Sequence, residues 1–562
     1  MRARSSDRAF FRQVSHRAAE AQRSEWFETN LSSDLCASAL LCAKPSESDS
    51  WKLHTAFALR EFAARCSASF MPTPPADSSE TVSAETKRYL PWLVAVALFM
   101  ENLDATIVNT AVPTMSASLG VAPLSLKAVL TSYTLSLAVF IPISGWMADR
   151  FGTKRVFKLA VMLFLLGSLF CGLAPNIHLL VAARILQGIG GAMMTPVGRL
   201  ALVRAFPRSE MLRTMNYVII PAMIGPLLGP FTGGVIVHFM SWRVIFFLNL
   251  PLALLGLWLI RRHMPDFRDE NAAPLDRTGF LLFGGGIALL SYVLEVFGEH
   301  TIGAGPVTVL FVMALGLLGA YGWHEHHTPA PVLELALFRI RTFRISVLGG
   351  FVTRIGFGGM PFLLPLLYQI GLGYPAWEAG LFTMPQALAA MGMKLISRPI
   401  MARYGHRTVL MGNTVLLGCT MMMFSLVNRG APLGGILALS LAQGFFASLQ
   451  FTAMNSLVYA DVTDRDASKA SSISSTAQQL SLSFGVACGS LTAAYFLGHV
   501  NQTDYVSTIP ALHKAFLTLG IITVVSSAMF WRLHADDGDN VSNRRKRTAS
   551  EKPLASGSGV PA

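Results

Sequence analysis

The chain has 562 residues, enough for several soluble domains. Charged residues make up only 14%, against about 25% in a typical globular protein, while 52% are hydrophobic and the mean hydropathy is +0.49. A net charge of +13 spread this thinly excludes a disordered or nucleic-acid-coating chain, and six cysteines without a C-x-x-C pair exclude a disulfide framework or zinc module. The class left is an all-α polytopic membrane protein.

Residues 1–88 differ in kind from the rest, being rich in Arg, Ser, Ala and Glu and holding Cys36, Cys42 and Cys66. The apolar patch Leu35 to Cys42 is too short to span, and a signal peptide would not start behind so many polar residues. Met71, followed by Pro-Thr-Pro-Pro, reads as a natural start. The expectation is that 1–88 is a polar extension, disordered or a start-site artefact.

Beyond it, apolar stretches recur at the length a bilayer core requires, about 20 residues for roughly 30 Å. They predict fourteen helices near 90–112, 128–148, 156–174, 179–203, 215–239, 242–260, 278–298, 303–323, 345–370, 379–398, 408–427, 433–456, 472–498 and 515–532. Loop bases alternate across this count. Even-numbered turns carry Arg150, Lys154 and Arg155, then Arg204, Arg208 and Arg213, then Arg261, Arg262, Arg268 and Arg277, and so on to Arg465 and Lys469. Odd turns carry little beyond Lys127, Arg243, Arg429 and Lys514. Lysine and arginine gather on the cytoplasmic side, so both termini are expected there. The C-terminal end adds the cluster Arg544 to Arg547 in a basic tail over 534–562.

An internal repeat is visible. The turn after the second span reads Gly145-Trp-Met-Ala-Asp149-Arg150-Phe-Gly152-Thr-Lys154-Arg155; the turn after the tenth reads Arg398-Pro-Ile-Met-Ala402-Arg403-Tyr-Gly405-His-Arg407. The offset of eight helices fits six plus two plus six: a bundle over 89–261, an inserted pair over 262–330 and a second bundle over 331–533. Transporters are often built from such repeats, with the site between them.

Four strings carry chemistry. The first span holds Glu101-Asn-Leu-Asp104-Ala-Thr106-Ile-Val-Asn109. A charge at the bilayer centre costs about 2.5–3.5 kcal/mol on insertion scales, so these acids should face the interior. Three apart on one helical face, they would resist ionising together, and one could hold a proton near neutral pH. The plainer alternative is a structural Asp104 bonded to Thr106, Asn109 or a neighbouring helix. In the Gly145 to Arg155 hairpin, Gly145 and Gly152 allow close approach and a tight turn, and Asp149 can accept from a helix N-terminus or pair with a base. The fourth span holds Arg184-Ile-Leu-Gln187-Gly188-Ile-Gly190-Gly191. Arg184 lies too deep to reach water and requires acids, carbonyls or a wet cavity, with Asp104 or Glu101 as candidate partner. The fifth span holds Gly225-Pro226-Leu-Leu-Gly229-Pro230-Phe-Thr-Gly233-Gly234, tolerable only where neighbours satisfy the freed carbonyls.

In this order, over Tyr89 to Leu533, the strings resemble those of the major facilitator superfamily, specifically its fourteen-helix drug:proton antiporter branch. The resemblance implies a major facilitator fold and a proton or substrate role for Asp104, with Glu101 beside it and Arg184 assisting proton transfer. It implies a conformational latch at Gly145, Asp149, Arg150, Gly152 and Lys154. It also implies a packing and antiporter signature at Gln187, Gly188, Gly225, Pro226, Gly229, Pro230, Gly233 and Gly234. Two departures stand out: Thr153 occupies a position where the pattern usually has a base, and Asn216 stands where it has an earlier glycine.

Weaker signals remain. Glu295 and Arg354 are intramembrane charges without a role readable from spacing, and Lys394 is expected to snorkel near a helix end. His324-Glu325-His326-His327 could bind metal but reads better as a solvated helix end, so no metal or other cofactor is expected. No G-x-x-x-x-G-K-[ST], His-Glu-x-x-His or G-x-S-x-G string occurs, which speaks against an ATP-driven pump or a membrane enzyme. The expected function is proton-coupled export of amphipathic, drug-like molecules across a bacterial inner membrane by a monomer whose partners are substrate, protons and lipid. Two alternatives stay open: an exporter of an organic acid or metabolite, for which Arg184 and Arg354 could hold the anion, and a non-transporting sensor on the same fold.

Overall fold

The computed structural model describes residues 83–269, 272, 274–299, 303–463, 466–498 and 505–542. The expectations about a Met71 start and the Arg544 to Arg547 cluster lie outside these residues. Among the described residues there is no strand. Fourteen long helices follow one another: α1 (Glu85–Leu119), α2 (Pro123–Phe151), α3 (Thr153–Leu173), α4 (Ile177–Ala205), α5 (Arg208–Phe239), α6 (Val244–His263), α7 (Arg277–Val296), α8 (Gly305–Glu325), α9 (Arg341–Gly371), α10 (Ala376–Tyr404), α11 (His406–Leu426), α12 (Leu433–Leu457), α13 (Ala467–Leu497) and α14 (Thr508–Arg532).

Thirteen of them are apolar enough as well as long enough to cross a membrane; α10 is the exception. It has 29 residues, ample length, but carries Glu378, Lys394, Arg398 and Arg403. Its polar surface does not disturb its place in the fold, because α10 packs against α5 and α12.

Lipid tails are as apolar as leucine, so helices here associate by close packing and internal hydrogen bonds more than by a hydrophobic drive. The glycines of α5 show this. A Cβ on Gly225 would strike the α1 backbone at Leu103 and Phe99, and one on Gly233 would strike Ile107. The three prolines of α5 leave it one continuous helix. In α4, Gly188 meets the α2 backbone at Tyr133, and Gly190 meets the α3 backbone at Ala160 and Phe164.

Helix α1 narrows into a 3₁₀ turn at Val108–Ala111, one turn beyond Asp104. Helix α9 is likewise interrupted after Gly358, one turn beyond Arg354. The two repeat hairpins share a left-handed glycine, Gly152 at φ 93° and Gly405 at φ 76°. Gly145 does not behave as expected: a Cβ there would meet nothing within 4 Å, so it mediates no close approach.

Helices α7 and α8 pack chiefly on each other. Helix α7 packs on α2 and α13, and the Lys127 amine at the head of α2 donates to the Glu295 carbonyl at 3.2 Å. Only 11% of the apolar window of α8 is buried, the least of any span, so its surface faces lipid.

The bonds joining early helices to late ones gather on the side with few loop bases. Gln369 Nε2 on α9 donates to the Thr110 carbonyl on α1 at 2.9 Å. Ser490 Oγ on α13 donates to the Leu124 carbonyl on α2 at 3.2 Å. Gly234 and Gly380 bring α5 and α10 into backbone contact at Ala376 and Pro230. Toward the base-rich side Arg199 on α4 and Lys394 on α10 are exposed. The early and late helices thus meet at the face with few loop bases.

Candidate functional site

Three of the expected residues meet in one place. Arg184 on α4 and Asp104 on α1 form an ion pair of 2.5 Å, and both are sealed, at 1% and 0% exposure. Two more helices complete the site. Asp104 Oδ1 accepts from Gln187 Nε2 at 2.9 Å and from Asn249 Nδ2 of α6 at 2.8 Å. Asn249 also donates to Ser168 Oγ of α3 at 3.0 Å, and Ser168 donates onward to the Phe246 carbonyl at 2.9 Å. The Arg184 guanidinium donates to Gln187 Oε1 at 2.7 Å and to the Val129 carbonyl at 3.3 Å. Its carbon centre lies 4.3 Å from the Tyr133 ring.

Each polar atom in this cluster has a reason to be there. A buried charge is tolerated when it is paired and its remaining donors are used, and a guanidinium over an aromatic face gains further stabilisation. Closure of α3 and α4 around the cluster depends on Gly167, where a Cβ would collide with the backbone of Gln187. The Arg184 partner is therefore Asp104, and neither Thr106 nor Asn109 bonds to it.

Glu101 lies outside the Arg184 hydrogen-bond cluster: its carboxylate accepts from Thr195 Oγ1 of α4 at 2.6 Å and is half-buried. It stays close enough to Asp104, though, for the two acids to act on each other electrostatically. Residues three apart on a helix are offset by about 60°, enough here to aim one acid into the sealed cluster and the other toward Thr195. Arg199, one turn beyond Thr195, lies close enough to act electrostatically on both Glu101 and Lys394. Lys394 is exposed toward the base-rich end of α10.

At the hairpin, Asp149 pairs with Arg204 at the end of α4 at 2.7 Å, and its carbonyl accepts from the Asp269 amide at 3.0 Å. Gly152 has no room for a Cβ because Asp266 fills that space. Asp266 also accepts from the Lys154 amide at 3.1 Å, at the head of α3. Thr153, the departure from the family pattern, is fully buried. Its hydroxyl donates to the Pro265 carbonyl at 3.1 Å and accepts from the Phe267 amide at 3.0 Å, while its own amide donates to the Phe267 carbonyl at 3.0 Å. A base here would lose both hydroxyl bonds and would have to be accommodated at a fully buried position. Arg150 is exposed, and among the described residues its side chain has no hydrogen bond or ion pair.

Arg354 on α9 stands apart from the cluster. It is 3% exposed, donates to Asn455 Oδ1 of α12 at 3.2 Å and lies 5.0 Å from the Phe451 ring. Its Nε has no partner, and among the described residues no carboxylate reaches it. His324 is bonded to Asp276 at 2.8 Å, and no group of three or more metal-ligating side chains occurs among the described residues.

Asn249, Ser168, Thr195, Arg199 and Arg204 were not anticipated. Asn249 carried a usable signal, since it is the one amide in the apolar run Val244 to Leu255. Arg204 carried none, as it looked like any other orienting loop base.

Fourteen helices closed on one face around a sealed acid–base cluster define a membrane transporter rather than an enzyme. The chain belongs to the Major Facilitator Superfamily, whose sequence profile matches residues 94–485 and 348–560. Among curated relatives it is similar to the "Putative multidrug resistance protein MdtD" of three enterobacteria. It is 38% identical to that of Serratia proteamaculans over 469 residues, 82% of this chain and 95% of that one. With the Yersinia enterocolitica protein the identity is 39% over 462 residues, covering 80% and 96%. With that of Escherichia coli K12 it is 38% over 471 residues, covering 83% and 99%. Solved structures share the fold. The POT family transporter PepTSo aligns with a TM-score of 0.60 at 14% identity, over 82% of this chain and 98% of that one. A D-xylose-proton symporter aligns at 0.56 and 14%, over 80% and 99%.

Proposed function

We propose that the protein is a proton-coupled antiporter, exporting small amphipathic or drug-like molecules across a bacterial cytoplasmic membrane by alternating access. The observation that carries this reading is the pairing of a sealed Asp104–Arg184 cluster with a second acid, Glu101, one turn away and outside that cluster. Substrate enters from the base-rich, cytoplasmic face, and Glu101 offers a carboxylate to a cationic group. A proton arriving from the other side competes with Arg184 for Asp104, loosening α1 from α4 and α6. The Asp149–Arg204 latch, read with Gly152 and Lys154, holds the present state until 89–261 rocks against 331–533. The exporter works as a monomer with both termini inside, in keeping with the arginine-rich loops. The name borne by the enterobacterial relatives supports the drug-like cargo.

Proteoliposomes with an imposed proton gradient provide the test. A cationic dye should accumulate against its gradient only when protons flow in the opposite direction. Equal transport with the proton gradient collapsed would sink the coupling.

A second reading has one observation in its favour. Arg354 is a buried cation without an acid partner, and the carboxylate of an exported organic acid would supply one. Arg354→Gln separates the two readings. Loss of carboxylate export with dye export intact favours the anion, and loss of dye export alone refutes it.

A further inference from the structure

Helices α1 and α5 are pressed together at Gly225 and Gly229, yet on the base-rich side they leave a cavity of roughly 490 Å³ between their first turns. Lys87 and Arg88 of α1 line it from one side and Glu210 and Arg213 of α5 from the other, three bases against one acid. The described residues give none of these bases an ion pair. Arg213 rests against the Tyr217 ring at 6.0 Å and Arg88 against Tyr89 at 5.8 Å. Trp92 and Tyr217 also line the cavity and are about half exposed, at 54% and 49%.

Uncompensated bases clustered in a concave site concentrate positive potential and raise the local concentration of anions. This cavity lies at the helix ends, where a bilayer places its headgroups, and aromatic residues with a polar tip favour that depth. Basic pockets between spanning helices suit phosphorylated headgroups, and a single orthophosphate offers the same acceptor oxygens. The central cluster plays no part: Asp104 and Arg184 lie several turns away and satisfy each other.

We propose that the cavity between the first turns of α1 and α5 binds a phosphate group through Lys87, Arg88 and Arg213, with Trp92 and Tyr217 against the rest of the ligand. The phosphate comes either from an anionic lipid headgroup or from solution. The site lies several turns from the Asp104 cluster and stands whether or not the antiporter reading holds.

The test is native mass spectrometry of the full chain, delipidated and then offered phosphatidylglycerol or phosphatidylcholine. Each base near an anionic surface is worth about a fivefold preference. The wild type should therefore retain phosphatidylglycerol at least tenfold better than phosphatidylcholine. The triple variant K87Q/R88Q/R213Q should lose about a hundredfold of that affinity, and the Lys87→Arg and Arg213→Lys variants should keep it. Competition with millimolar inorganic phosphate identifies the source: displacement of the lipid marks a site for soluble phosphate, persistence of the lipid marks a headgroup site. Equal retention of the two lipids together with no phosphate binding would overturn the proposal. So would a triple variant of unchanged thermal midpoint that binds phosphatidylglycerol and phosphate as well as the wild type.

Discussion

Asn249 of α6 donates to Asp104 of α1 at 2.8 Å across 145 positions of sequence, and both are sealed from solvent. The bond makes α6 a structural partner of the acid that α1 carries. Hydrogen bonds to charged groups are worth about 1.5–3 kcal/mol, so Asn249→Ala should lower the thermal midpoint by several degrees and cut proton-driven transport at least tenfold. Asp104→Asn keeps the shape but leaves Arg184 as a buried cation without an acid, and transport should vanish. Asp104→Ala should go further and cost about 3–5 kcal/mol, the usual penalty for stripping one partner from a buried pair. Thermal unfolding in detergent alongside proteoliposome uptake separates the two effects. Normal uptake by Asp104→Asn would remove Asp104 from the coupling path.

The Asp149–Arg204 pair is about one-third exposed on both sides, so its contribution to stability is small, about 0–1 kcal/mol. Its value to a latch lies in holding one conformation. Asp149→Asn and Arg204→Gln should each reduce transport about tenfold, on the order of 1.4 kcal/mol, with expression and thermal midpoint near wild type. The exchanged pair D149R/R204D should recover part of the rate. If neither single variant slows uptake, the pair is an ordinary surface bridge.

Much of this architecture is legible in the sequence, because bilayer thickness fixes span length and loop arginines fix the alternation. Thirteen spans stand out by hydropathy, and α10 shows as an apolar stretch only when isolated charges such as Lys394 are allowed within it. Arg184 announces a buried acid partner, but not which one. The choice between Glu101 and Asp104 is made by Asn249 and Ser168, neutral residues on helices that carry no other sign of a role. Gly145 and Gly152 bracket one hairpin, and only Gly152 has a glycine counterpart, Gly405, in the second copy. Of the two, only Gly152 has a left-handed backbone and a neighbour in its Cβ position, a difference set by where the segment before α7 returns.

Thr153 ties that segment to the hairpin through three hydrogen bonds, one from its amide and two at its hydroxyl. Each net bond is worth about 1 kcal/mol. Thr153→Val keeps the volume and the amide but removes both hydroxyl contacts. It should release the segment around Arg268 to trypsin at least tenfold faster while leaving the Asp104 cluster intact. Thr153→Lys, which introduces the base more usual in the family, should be worse tolerated than Thr153→Val because the position is fully buried. Equal cleavage rates in wild type and Thr153→Val would show that Asp266 alone holds the segment.

The closed face makes the last prediction. Gly234 on α5 lies against the backbone of Ala376 on α10, and Gly380 on α10 lies against that of Pro230 on α5, so both partners are unyielding main chain. Overpacking such a contact costs about 1–3 kcal/mol, and the cost falls only on the state in which the contact exists. Gly234→Ala and Gly380→Ala should therefore shift the population toward the opposite state by about five- to a hundredfold, and the two together should add little beyond the first to separate the helices. Spin labels or cysteine reagents placed near Thr110 and Gln369, whose 2.9 Å bond spans the same face, would report the opening. Each variant should show increased accessibility there and a lower transport rate, because a cycle that cannot close on this side cannot reset. Unaltered accessibility in Gly234→Ala would mean that α5 and α10 move together as one body, and the gate would have to be sought between α2 and α13.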